Sequence, residues 1–165
     1  MKNDPRENLV IPSANLLRVR LGVKSEADFE IDPEKLQQAE AALEALYESY
    51  PAWVTPDVDR MARLLTEMTG LSAKAQASHL EEIFDLAHNI KGQGLSFGYP
   101  LMTRIGESLC GFLRKKRTMD DATFRLIEAH IQAMQVVLRE RIQDEKEPLA
   151  MQTVSALQAV GARLA

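Results

Sequence analysis

Between Leu80 and Gly94 the apolar residues Leu80, Ile83, Phe84, Ala87, Ile90 and Gly94 recur every three or four positions, which predicts a helix with one apolar side. The same period governs most of the chain. It carries Leu36, Ala39, Leu43, Leu46, Tyr47 and Tyr50, then Val58, Met61, Leu64, Leu65 and Met68, then Leu101, Met102, Ile105, Leu109, Phe112 and Leu113. It continues in Phe124, Ile127, Ile131, Met134, Val137, Leu138 and Ile142, and again in Val154, Leu157, Val160 and Leu164. No alternating strand pattern, repeat or low-complexity tract interrupts it, so the chain reads as all-α.

Start and stop signals divide this pattern into helices. Asp32-Pro33-Glu34 opens a first helix that runs to Pro51, and Thr55-Pro56-Asp57 opens a second that Gly70 closes. Trp53 falls in the connector and reads as a lid on the core. Ser72 or Ser78 caps the central helix, which stops near Gly98 and Pro100. Pro100 starts a fourth helix, antiparallel to the third, ending in Arg114-Lys115-Lys116-Arg117; these cations complement the helix dipole or form a rim for an acidic partner. Asp120 or Asp121 begins the fifth and longest helix, which ends in the polar run Gln143 to Glu147. Short connections make neighbouring helices antiparallel. The expectation is therefore an antiparallel, up-and-down four-helix bundle over residues 32–147, with helices two to five as its core and helix one packed across them. Residues 1–31, with Pro5, Pro12 and Gly22, form an irregular arm. Residues 148–165 form a C-terminal amphipathic helix that docks in cis or pairs two chains in a homodimer.

Composition narrows the partners. The 165 residues suit one domain, 45% hydrophobic but only 5% aromatic, so its core is filled by aliphatic side chains and methionine. A net charge of -4 gives no general attraction to nucleic acid or anionic lipid. No run approaches the roughly 18 apolar residues a membrane span needs, and the start Met1-Lys2-Asn3-Asp4-Pro5 lacks a signal core. Cys110 is the only cysteine and packs as a small hydrophobe. A cytoplasmic protein is expected.

One residue breaks the scaffold pattern. At about 100° per residue, Ile83, Ala87, Ile90 and Gly94 share roughly 60° of arc, while His88 lies on the order of 120° from their centre and so faces solvent. Gly92 returns to the His88 face and leaves it open to another surface; Lys91 supplies a neighbouring cation. His130 reads as a core or boundary histidine, and His79 lies about 180° around the helix from His88, so the two share no ligand. Neither belongs to a zinc-type spacing.

The string His88-x-x-Lys91-Gly92-x-x-x-x-Phe97-Gly98, followed by Met102, Ile105 and Leu109, resembles the signature of histidine-containing phosphotransfer domains and is similar to the first domain of chemotaxis histidine kinases. The resemblance covers roughly residues 80–113. It implies that His88 is phosphorylated by the aspartyl phosphate of a response regulator receiver domain or hybrid histidine kinase and passes the group to another regulator. Lys91 would pair with phosphoryl oxygens, and Mg²⁺ would belong to the receiver, leaving this chain with no cofactor. Phe84, Gly92, Leu95, Ser96 and Arg104 are the expected docking residues. Chemotaxis domains carry a glutamate twenty-two residues after the histidine and often a second histidine nineteen after it. Cys110 and Glu107 stand there in this chain, and Glu107 is expected to accept the proton of the other ring nitrogen. The chain has no room for an ATP-binding kinase domain, so both partners are expected to be separate proteins. A second reading stays open: a helical module that docks a regulator without being phosphorylated.

Overall fold

The computed structural model describes residues 33–115, 119–144 and 148–164, which form five helices. They are α1 (Pro33–Glu67), α2 (Ala73–Gly94), α3 (Pro100–Lys115), α4 (Asp121–Arg139) and α5 (Pro148–Leu164), with a 3-10 turn, Leu95–Phe97, between α2 and α3. The expected arm, residues 1–31, and the cations Lys116 and Arg117 lie outside the described residues.

The first two expected helices are one. α1 runs through Pro51 and Pro56, although each proline lacks the N–H that would bond four residues back. Tyr50, Val54, Val58, Met61 and Leu65 keep helical phase across both prolines, and all five are buried. Burying such side chains is worth about 1.5–3 kcal/mol each, which outweighs roughly 3 kcal/mol per interior proline. Thr55 Oγ1 also donates to the Pro51 carbonyl at 2.7 Å. Trp53 is consequently on a helix and not in a connector; it is 52% exposed and meets Phe97 edge-on at 5.7 Å.

The chain divides inside this helix, into Met1–Ala42 and Leu43–Ala165. In the first unit the described residues 33–42 are helical and exposed. The second holds the core: Tyr50 to Met68 from α1, Ile83, Ala87 and Ile90 from α2, the Leu101–Phe112 stripe, Leu126 to Leu138 from α4, and Val154 and Leu157 from α5. α3 packs against α2, α4 and α5, and α4 also packs against α5. The C-terminal helix thus docks in cis.

Caps follow from side-chain and backbone chemistry. Ser72 and Asp120 are the N-caps of α2 and α4; their side-chain oxygens accept from Ala75 N and Thr123 N. α4 stops at Arg139, short of the polar run Gln143 to Glu147 expected to end it, and α1 rather than α4 is the longest described helix. Arg141 takes a left-handed φ of 52°, and Ile142 N and Arg141 N donate back to Val137 and Leu138 carbonyls, a Schellman closure. Ile142 still packs on the core.

The α2–α3 hairpin closes in the same way at Gly98, φ 77°, with Tyr99 N donating to Gly94 O and Gly98 N to Leu95 O. Thr103 stitches its two arms, since its hydroxyl donates to Lys91 O at 3.0 Å and accepts from Leu95 N at 2.8 Å. A Cβ at Gly94 would lie 2.8 Å from Thr103 and Tyr99 atoms, and one at Gly106 3.0 Å from Ala87 O. The two backbones touch there, which fixes everything mounted on their outer faces.

Candidate functional site

His88 is exposed on α2, opposite the buried Ile83, Ala87, Ile90 and Gly94. Its ring stacks with Phe84, one turn earlier, at 6.1 Å between centroids and 16° between planes. Among the described residues neither imidazole nitrogen has a hydrogen-bond partner, so both stay open to an incoming group. Phe84 is partly buried against the core and also receives the Arg114 guanidinium, 5.4 Å from its centroid.

Contacts across the hairpin set its register. Ala87 and Lys91 lie against Gly106, Lys91 faces Glu107, and Phe84 meets both Cys110 and Arg114. Phe84, His88 and Lys91 form one outer stripe on α2, and Glu107, Gly111 and Arg114, at intervals of four and three, form the stripe across from it on α3. Lys91 Nζ lies 3.7 Å from Glu107 Oε1. The expected bond from Glu107 to the imidazole is therefore replaced by an ion pair with Lys91, because Glu107 stands level with Lys91 and His88 stands level with Cys110 and Gly111. Glu107 is exposed and Lys91 half-buried, so the pair, at 3.7 Å and open to water on one side, is weak and exchangeable.

Gly92 is exposed, and a Cβ there would meet nothing within 4 Å. Leu95 is 67% exposed and Ser96 is exposed, on the turn beyond His88. Arg104 is half-buried and already engaged within the protein. Behind Leu95, Phe97 stacks on Tyr50 at 5.2 Å and carries Trp53 on its edge, so the exposed apolar surface runs on to α1. Sequence reasoning missed Arg114 as a neighbour of Phe84 and Trp53 as part of this surface. The first was accessible by folding the sequence about Tyr99, which brings 84 level with 114 and 91 with 107.

The remaining candidates lie elsewhere. Cys110 is buried, with Sγ 3.9 Å from Phe84 O, and burial pushes its thiol pKa up. His130 is fully buried; Nδ1 donates to Leu126 O at 2.7 Å and Nε2 faces Ser108 Oγ at 2.9 Å. Desolvation lowers its pKa. His79 points to Ala75 O and, at 3.5 Å, to Glu67 on α1. Among the described residues no cluster of three or more His, Cys, Asp or Glu could hold a metal, and no helix is long and apolar enough to cross a membrane.

The arrangement offers one exposed nucleophilic ring held by stacking, a cation one turn away, a second cation on the adjoining helix and no side chain at 92 or 111. It can accept a small anionic electrophile delivered by another macromolecule. A family model described as Hpt domain matches residues 33–144, from the start of α1 to just beyond α4. No curated protein and no solved structure matches the chain.

Proposed function

The chain belongs to the Hpt domain family, whose members carry out histidine phosphotransfer in two-component phosphorelays, and on that premise we propose that His88 shuttles a phosphoryl group between two receiver domains. The observation that carries this reading is the open imidazole on a rigid hairpin: stacked on Phe84, with no hydrogen bond to its nitrogens and a clear approach over Gly92 among the described residues.

In the forward step a ring nitrogen lone pair of neutral His88 attacks the phosphorus of a receiver aspartyl phosphate. The N–P bond forms, the acyl P–O bond breaks, and the aspartate leaves as a carboxylate. The attacking nitrogen needs a free lone pair, so the reacting form of the ring is the neutral imidazole. Lys91 exchanges its exposed partner Glu107 for the phosphoryl oxygens, which replaces a weak ion pair with charge-assisted bonds. The receiver supplies Mg²⁺ and its acidic pocket, and this chain supplies position. Phe84, Gly92, Leu95, Ser96 and Arg104 form the docking face. A second receiver aspartate reverses the step. The partners of this reading are response regulator receiver domains and a hybrid histidine kinase, and its site of action is the cytoplasm. The apolar groove between α4 and α5, lined by Ala129, Ala133, Val136 and Val160, is where two chains would pair if the protein dimerises.

The test is to incubate wild type and His88→Gln with a ³²P-labelled receiver domain. Acid-labile label on wild type alone is expected. Binding without label from any receiver would instead favour a docking module.

A further inference from the structure

Four of the seven described glycines have a reason inside the protein to lack a side chain: Gly70 and Gly98 adopt positive φ, and Gly94 and Gly106 sit at backbone contacts. A Cβ on Gly161 would make ordinary contact with Phe112 and Leu126. Among the described residues, Gly92 and Gly111 touch nothing at all on that side. Each lies inside a helix without positive φ, and a Cβ built on either meets nothing within 4 Å. Glycine weakens a helix interior relative to alanine, so both positions cost stability that no internal contact recovers.

Their positions are related. Gly92 is one turn beyond His88 on α2. Gly111 is on α3 level with His88, because the contacts of Lys91 with Glu107 and of Phe84 with Arg114 bracket that level, and its neighbour Cys110 turns inward to the Phe84 carbonyl. The imidazole thus stands between two bare stretches of helix. The flanking cations, Lys91 and Arg114, mark the two ends of the same face.

We propose that Gly111 is a specificity-determining residue of the transfer reaction: it keeps the α3 side of His88 bare so that an acidic, metal-holding receiver site can settle over both helices. This rests on the shuttle reading above. Transfer needs the aspartyl phosphate within about 3–3.5 Å of the ring nitrogen. A phosphate seated in a pocket reaches that distance only if the pocket's rim descends on either side of the ring, onto Gly92 and onto Gly111. The cations at the ends of the face complement the rim's charge.

The experiment compares wild type, Gly111→Ala and Gly111→Leu with two donors, a phosphorylated receiver domain and phosphoramidate, a small donor that needs no docking. Phosphoramidate should label all three at equal rates. Transfer from the receiver should fall on the order of tenfold in Gly111→Ala and about a hundredfold in Gly111→Leu, while Gly111→Ala melts above wild type. Equal transfer from the receiver to all three proteins overturns the inference and leaves the shuttle standing. Loss of phosphoramidate labelling in a folded Gly111→Ala also overturns it, since the defect would then lie in the imidazole. Wild type labelled by phosphoramidate but by no receiver overturns the shuttle and this inference together.

Discussion

The ring of Phe84 lies nearly parallel to the imidazole of His88, 6.1 Å away between centroids, and no hydrogen bond from a described residue competes for that imidazole. An aromatic face, not a carboxylate, orients it. An aromatic pair of this kind is worth about 0.5–1.5 kcal/mol beyond the area it buries. Phe84→Leu keeps an apolar side chain but removes the ring from both His88 and Arg114. It should destabilise the protein by about 1 kcal/mol and slow phosphoramidate labelling of His88 severalfold, read by urea melts and label incorporation. Unchanged labelling would return Phe84 to a purely packing role.

Gly94 and Gly92 should respond in opposite directions. Gly94→Ala drives a methyl to within 2.8 Å of Thr103 and Tyr99 atoms and should cost about 2 kcal/mol or more. Gly92→Ala meets nothing and should raise stability by roughly 0.5–1 kcal/mol while reducing transfer from a receiver. Thermal melts of the two variants beside a transfer assay separate hairpin packing from partner approach.

Acid should weaken the fold through His130. Its pKa is lowered by desolvation, so the native state binds less proton than the unfolded chain. The neutral form's advantage is complete above about pH 6.5, the ordinary histidine value, and is lost as pH falls from there toward the lowered native value, with a slope of at most about 1.4 kcal/mol per pH unit. Denaturant melts from pH 8 to pH 5 should show this loss in wild type and a flatter profile in His130→Gln. Equal profiles would mean that other groups govern the acid limb.

Tyr50 is only 1% exposed, and among the described residues its hydroxyl has no hydrogen-bond partner. Burial, with the nearby Tyr99 and Asp57, pushes its phenol up to about 12. Tyr50→Phe removes the orphaned group and keeps the stack on Phe97, so it should be neutral or stabilise by about 1 kcal/mol. Destabilisation above about 1 kcal/mol would point to a water bound at that hydroxyl.

The elements whose signals agree were legible from the chain alone. Pro100 and Gly98 punctuate the helical period where the structure does, Ser72 and Asp120 are each one of two caps the pattern leaves open, and the exposure of His88 follows from counting 100° per residue. α1 was not legible, because Pro51 and Pro56 read as boundaries. Only the joint burial of Tyr50, Val54 and Val58 against the other helices outweighs them. Glu107 was assigned to His88 by spacing within a resemblance, whereas hairpin register pairs it with Lys91. In the sequence Arg114 reads as a terminal cation, since its contact with Phe84 exists only once two helices are side by side.

The stitch that Thr103 makes between Lys91 O and Leu95 N lies within a single hairpin, and so do His88, Phe84, Lys91, Gly111 and Arg114. Contacts within one hairpin close a small loop at little entropic cost. The surroundings of the His88 ring are therefore set by one local segment of the chain and not by the assembly of distant ones.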